Sequence, residues 1–250
     1  MSLLKINQKR PLIHCITNYV VANFTANGLL AIGASPVMAD EIAEVEDMVS
    51  VANSLLINIG TMNVRTKEAM IIAGRKANEV GIPVVLDPVG VGATAFRLET
   101  VKGLLRDIKF DLIRCNAGEL AAIAGVNWDS KGVDSGEGKM DIEQTAKAVA
   151  KQYNCFVIVT GEVDIVTSGD SIDYISGGHE LMTKMTGTGC LLSAICTAAL
   201  AVERNKLAFL SDVLKDYKKV AEMACQKEWL GTVQQEVLNQ LQRIAGGLAQ

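Results

Sequence analysis

"IPVVLDPVGVGATAFRLETVKGLLRDIKFDLIRCNAGELAAIAG", residues 82–125, decides the fold. The run PVVL is continuously apolar and β-branched, as a strand covered on both faces must be. It ends in Asp87-Pro88 and a glycine-rich turn, and "LETVKGLLRDI" then carries helical spacing. "FDLIRC" (110–115) repeats the strand pattern and "AGELAAIAG" the helical one. Two strand–helix units in a row demand a parallel crossover, because parallel neighbours cannot be joined by a tight turn.

The same alternation extends outward. Upstream, "PLIHCI" (11–16), "SPVM" (35–38) and "SLLINIG" (54–60) read as strands. Helices are predicted through "YVVANFTANGLLAI", "EIAEVEDMVSVA" and "VRTKEAMIIAGRKANEVG", the last closed by Gly81. Downstream, "CFVIVTG" (155–161) is a strand. In "EVDIVTSGDSIDYISGG", two strand-like runs flank a Ser-Gly-Asp-Ser turn, the pattern of an antiparallel hairpin. From Gly187 onward the pattern is helical. The polar, glycine-rich "WDSKGVDSGEGKMD" (128–141) reads as a surface loop inside this alternation. The prediction is an α/β chain, 1–250, with one domain: a mostly parallel central sheet between two helical layers, with an antiparallel edge hairpin.

Composition narrows the function classes. Apolar residues make up 49% and charged residues 21% of the 250, which excludes disordered and fibrous classes. A net charge of −4 argues against a nucleic-acid partner, whose phosphates favour a basic excess, and for a small molecule. The longest apolar-rich stretch, Leu191 to Val202, is too short to span a bilayer, and "MSLLKINQKR" lacks the apolar core of a secretory signal. Six scattered cysteines without C-x-x-C spacing, beside two histidines, match a reducing compartment and not a structural zinc site. A cytoplasmic protein without membrane contact is expected.

In open parallel sheets ligands bind beyond the carboxyl ends of the strands. The residues there are Thr17-Asn18, Met38, Gly60 to Asn63, Asp87-Pro88, Arg114-Cys115-Asn116 and Thr160-Gly161. "MTGTGC" (185–190) puts Gly187 and Gly189 before a helix, whose first-turn N–H groups favour an anion. A plain entry loop into a core helix has the same appearance. Gly90, Gly92 and Ala95 match the dinucleotide pattern G-x-G-x-x-A, but Asp87 stands before them and no acid ends the next strand. Asp87 and Glu119 suit a Mg²⁺ ion that keeps its waters, while Glu119 and Asn116 suit a helix start equally well. Arg114 at the end of an apolar strand fits a phosphate or a salt bridge. His14 and Met38, taken alone, read as core.

Taken in order, "HCITNYVVANFTANGLLAIGASPVMADE" (14–41), "LLINIGT", "PVVLDPVGVGAT", "IRCNAGE", "VIVTGEVDIVTSG" and "MTGTGCLLSAI" resemble the hydroxyethylthiazole kinase family of the ribokinase-like superfamily. The resemblance runs from about Pro11 to about residue 225. It implies a ribokinase-like three-layer αβα fold and ATP-dependent phosphorylation of the hydroxyl of 4-methyl-5-(2-hydroxyethyl)thiazole, a step of thiamine salvage. It also implies a homotrimer with its sites at subunit contacts. By position, Asn18, Met38 and Gly187 would line the thiazole pocket. Arg114, Thr160 and Asn116 would meet ATP, Asp87 and Glu119 the Mg²⁺ ion. Gly187, Thr188 and Gly189 would form the anion hole, and Cys190 would be the general base. One departure is Cys115, where family members usually carry glycine. Two alternatives remain: a kinase of a hydroxymethylpyrimidine or pyridoxal-type alcohol, and a nucleotide-binding or redox-sensing protein with exposed thiols.

Overall fold

A computed structural model describes residues 2–126, 140–204, 206–226 and 229–248. Eight strands form one sheet: β1 (Leu12–Ile16), β2 (Ser35–Val37), β3 (Ser54–Asn58), β4 (Val84–Asp87), β5 (Leu112–Asn116), β6 (Phe156–Thr160), β7 (Asp164–Thr167) and β8 (Ile172–Ile175). Their order is β2-β1-β3-β4-β5-β6-β7-β8. The first six are parallel; β7 and β8 are antiparallel, the predicted edge hairpin.

The helices are α1 (Ser2–Lys9), α2 (Ala22–Ala31), α3 (Val45–Val51), α4 (Val64–Val80), α5 (Ala95–Asp107), α6 (Ala117–Ala124), α7 (Ile142–Tyr153), α8 (Leu181–Lys184), α9 (Thr188–Val202), α10 (Leu207–Ala224) and α11 (Leu230–Ala245). They divide by sheet face. Leu56, Val85, Leu112 and Ile158 pack against α1, α2, α9, α10 and α11. Leu55, Ile57, Val84, Leu86, Ile113 and Val157 pack against α3 to α7. This is the three-layer αβα arrangement, and each central strand is apolar on both sides because both sides are covered.

Local chemistry sets the helix ends. Gly81 ends α4 in the left-handed conformation at φ +78°, and Gly125 ends α6 likewise at φ +68°. Asn63 caps α4 through a reciprocal box with Thr66. Asn63, a candidate by its place after β3, therefore serves the helix. Helix α9 is apolar nearly all round and buried from Leu191 to Leu200, the mark of a helix packed inside the protein.

Several elements differ from the sequence expectation: α3 begins at Val45, four residues later than predicted from Glu41, and α5 at Ala95, three earlier than predicted from Leu98. Helix α2 begins at Ala22, three residues later than predicted from Tyr19, so Tyr19 and Val20 lie exposed in the preceding turn. Helix α1 carries no sequence prediction; Asp216 of α10 caps it, accepting from the Ser2 and Leu3 N–H groups. The loop assigned to 128–141 falls largely outside the described residues; within them, Asp141 caps α7. No helix among the described residues is long and apolar enough to cross a membrane.

Candidate active site

Strand parity builds the site. Side chains alternate across a sheet, so residues two apart share a face. Asn58, Asp87, Arg114 and Thr160 stand two residues after Leu56, Val85, Leu112 and Ile158, which all face α9. The register pairs Asn58 with Asp87 and places Arg114 opposite Ile158. Four polar side chains thus leave four adjacent strands on one face, at the carboxyl end of the sheet.

Their contacts form a continuous chain. Cys190 accepts from Asn18 Nδ2 at 3.4 Å, and Asn18 Nδ2 also donates to Asn58 Oδ1 at 3.0 Å. Asn58 Nδ2 donates to Asp87 Oδ2 at 2.7 Å. Arg114 Nη1 lies 4.0 Å from Asp87 Oδ1, and its Nη2 donates to Thr160 Oγ1. Thr160 passes the link on to the Cys115 carbonyl. Among the candidate site residues, buried Thr17 Oγ1, Asp87 Oδ1 and Arg114 Nε have no hydrogen-bond partner. A buried polar group without a partner costs about 1–3 kcal/mol, so unsatisfied polar atoms gathered in one site favour a polar ligand there.

The N-terminus of α9 closes the site from above. Gly187 precedes it at φ +96°, a left-handed position, and a Cβ there would lie 2.7 Å from Val21 Cγ1. Being glycine, it brings no side chain to cap the first-turn N–H groups. Thr188 turns its hydroxyl back to the Met182 and Met185 carbonyls, at 2.9 and 3.3 Å. Gly189 has another reason: a Cβ on it would sit 2.6 Å from Arg114 Nη1. The guanidinium therefore lies directly against the helix start, and Cys190, one residue on, faces the same space.

Asp87 is fully buried, and burial pushes its carboxyl above the ordinary range, opposed by the Arg114 charge and the Asn58 hydrogen bond. Burial likewise raises Glu119, with the Asp87 charge adding to it. Burial, and then the Asp87 charge, push the Cys190 thiol up to about 12. The helix N-terminus does not outweigh them.

Asn116 and Glu119 form a capping box at the start of α6: Glu119 N donates to Asn116 Oδ1 at 2.8 Å, and Asn116 N to Glu119 Oε2 at 2.9 Å. Glu119 Oε1 accepts from Gly90 N at 2.9 Å. The glycine turn that matched a dinucleotide pattern thus gives its Gly90 amide to a carboxylate, which a pyrophosphate could not share. Each Glu119 oxygen keeps a lone pair. Among the described residues no three His, Cys, Asp or Glu side chains converge as a metal cage. An ion that binds one or two carboxylates and keeps its waters is what Asp87 and Glu119 can accommodate, and the bare Asp87 Oδ1 fits that demand.

Other sequence candidates fall into place by burial. Met38 stands at the outer end of the row, just after the edge strand β2, 36% exposed. His14 is buried, with Nε2 2.8 Å from the Ala39 carbonyl and Nδ1 without a partner. Cys115 shares the parity of Ile113, so its side chain is buried among the α3–α7 layer and points away from Arg114. Five cysteines are buried and Cys190 is half-buried with a raised pKa, which removes the exposed, acidic thiols a redox sensor needs. Sequence reasoning missed Asn58. The available signal was an amide at the last position of an otherwise apolar parallel strand.

Comparison with known proteins shows the family and the fold. The hydroxyethylthiazole kinase family model matches residues 3–246. A hydroxyethylthiazole kinase of Lysinibacillus sphaericus is 60% identical over 241 residues, 96% of this chain and 94% of that protein. The solved structure of a hydroxyethylthiazole kinase protein from Pyrococcus horikoshii superposes with a TM-score of 0.89 at 37% identity, covering 99% of this chain and 93% of that one. A ribokinase-like superfamily protein from Enterococcus faecalis shares the fold alone, at a TM-score of 0.72 and 10% identity, covering 99% of this chain and 94% of that one.

Proposed function

We propose that this chain, which belongs to the hydroxyethylthiazole kinase family, transfers the terminal phosphoryl group of ATP to the hydroxyl of 4-methyl-5-(2-hydroxyethyl)thiazole. The product is the alkyl phosphate that thiamine salvage uses. The observation that carries the reading is the Arg114 guanidinium, its side chain 12% exposed and its Nε unpartnered, lying against Gly189 beside a thiol. It is an anion site set next to a proton acceptor.

In this reading the acceptor lies toward Asn18 and Met38, with Gly187 closing over its hydroxyethyl end. ATP lies toward Arg114, Asn116 and Thr160. Phosphoryl transfer asks a protein mainly for position and charge neutralisation. Arg114 and the first-turn N–H groups of Thr188 and Gly189 take the charge of the transferring group. The thiolate form of Cys190 accepts the hydroxyl proton as the hydroxyl oxygen bonds to phosphorus, and the bond to ADP breaks with its electron pair left on ADP. Mg²⁺ held by Asp87 and Glu119, directly or through water, would neutralise phosphate charge. Asn58 has both its amide groups engaged, so it holds Asn18 and Asp87 in their places relative to Cys190.

We read residues 1–250 as one cytoplasmic kinase domain that assembles as a homotrimer. Exposed Tyr19, Val20, Met38 and Val64, all at the carboxyl end of the sheet, support a subunit contact that completes the acceptor pocket. The decisive assay is ADP formation against a panel of thiazole, pyrimidine and pyridoxal-type alcohols, with and without Mg²⁺. ADP formed with the thiazole alcohol alone, and only with Mg²⁺, is the expected result. Turnover with another alcohol and none with the thiazole would overturn the substrate assignment.

A further inference from the structure

Arg97 lies in the first turn of α5 and, among the described residues, pairs with no carboxylate. Its guanidinium donates to three backbone carbonyls instead: Nη1 to Ile59 at 2.9 Å and to Val89 at 2.7 Å, and Nη2 to Gly60 at 2.6 Å. These carbonyls belong to the loops after β3 and β4, where the chain has left the sheet ladder. Two of them are halves of peptide units whose other half serves the site. The Ile59–Gly60 peptide gives its carbonyl to Arg97 and its N–H to Asn58 Oδ1, at 2.9 Å. The Val89–Gly90 peptide gives its carbonyl to Arg97 and its N–H to Glu119 Oε1, at 2.9 Å. A trans peptide directs its carbonyl and N–H to opposite sides, so each plane is gripped from both.

We propose that Arg97 is a positioning residue that fixes Asn58 and Glu119 through these two peptide planes. One rigid fork thereby sets the spacing between the acceptor side of the site and its phosphate side. Arginine suits the task because its donors are planar and permanently charged, whereas a lysine amine is a single point on a flexible stem. Among the described residues, the Arg97 guanidinium hydrogen-bonds to backbone carbonyls and to none of the reacting groups, so it acts at a distance. The inference rests on the kinase reading and deepens it.

The test compares Arg97→Met, Arg97→Lys and Arg97→Ala with the parent in the full-length protein. A displacement of the supporting loops by about an ångström should lower kcat about 10- to 100-fold, with KM for the thiazole alcohol changed far less. The lysine variant should fall between methionine and parent. Ethylguanidinium added to Arg97→Ala should restore part of kcat, which no purely structural defect would allow. A kcat within about twofold of the parent, or a loss that equals the unfolded fraction and resists rescue, would overturn the proposal. Should the parent itself fail to phosphorylate the thiazole alcohol, the kinase reading falls and amide hydrogen exchange decides the positioning role. Gly60 and Gly90 should then exchange at least about tenfold faster in Arg97→Met while α4 is unchanged; equal exchange would overturn it.

Discussion

Replacing Gly189 by alanine tests the contact on which the anion site depends. The new Cβ would lie 2.6 Å from Arg114 Nη1, 3.0 Å from Nη2 and 3.2 Å from Cζ, where ordinary contacts begin at 3.4 Å. The guanidinium must retreat by about 0.8 Å, the difference between 3.4 and 2.6. It cannot do so freely, because Thr160 holds Nη2 and the Asp87 carboxylate lies 4.0 Å from Nη1. Stability should change little: alanine gains about 1 kcal/mol of helix propensity while the clash costs about 1–3 kcal/mol. A net loss of no more than about 2 kcal/mol lowers Tm by no more than about 8 °C. Catalysis should suffer more, since a misplaced charge-stabilising donor costs about 100-fold, or about 2.7 kcal/mol in kcat/KM for ATP. The assay is initial ADP formation at varied ATP, for Gly189→Ala, Arg114→Ala and the double variant. With Arg114 gone the clash is gone, so adding Gly189→Ala to Arg114→Ala should cost less than about threefold. Wild-type kinetics in Gly189→Ala, or full additivity in the double variant, would refute the contact's role.

Three further outcomes follow from the same geometry. With its thiol pushed up to about 12, Cys190 is almost wholly protonated at neutral pH and its thiolate fraction rises tenfold per pH unit. Log kcat should therefore climb with a slope near one from about pH 6.5 to about 8.5, and Cys190→Ala should be slow and flat; a flat parent profile removes Cys190 as the proton acceptor. Asn58→Leu takes a partner from each of Asn18 Nδ2, Gly60 N and Asp87 Oδ2, leaving Asn18 Nδ2 only its contact to Cys190. At about 1–3 kcal/mol each, this should lower Tm by about 6 °C or more and depress kcat, and a thermally unchanged variant would contradict the network. Burial raises Cys15, Cys155, Cys190 and Cys196 from 9.0 to about 12. Between those values the folded state keeps protons that the unfolded state has lost. The thiols' contribution is complete below about pH 9 and is lost as pH rises toward 12, by about 1.4 kcal/mol per pH unit for each. Denaturant midpoints should drop steeply above pH 9, less steeply in Cys196→Ala, and a constant midpoint would contradict the burial.

The sequence by itself determined the layer order and the row of site candidates. Runs such as PVVL and LLI are apolar at every position, which only a strand covered on both faces tolerates, and their alternation with helical spacing leaves a parallel sheet as the outcome. Asp87, Arg114 and Thr160 were legible because each breaks an apolar strand at its carboxyl end. What they do to one another was not. Whether Asp87 and Arg114 share a face depends on the register between β4 and β5, a relation between segments distant in the chain. Register also hides Asn58, which reads as one more strand residue until β3 is laid beside β4 and its amide meets Asp87. Arg97 gives no local signal at all, because its partners are backbone carbonyls, which every sequence supplies. The Cys190 pKa is the sharpest case. A cysteine at a helix N-terminus predicts a downward pull, but burial and the neighbouring Asp87 charge act the other way and prevail. Desolvation and through-space charge are sums over everything that surrounds a group, and only the folded chain specifies those surroundings.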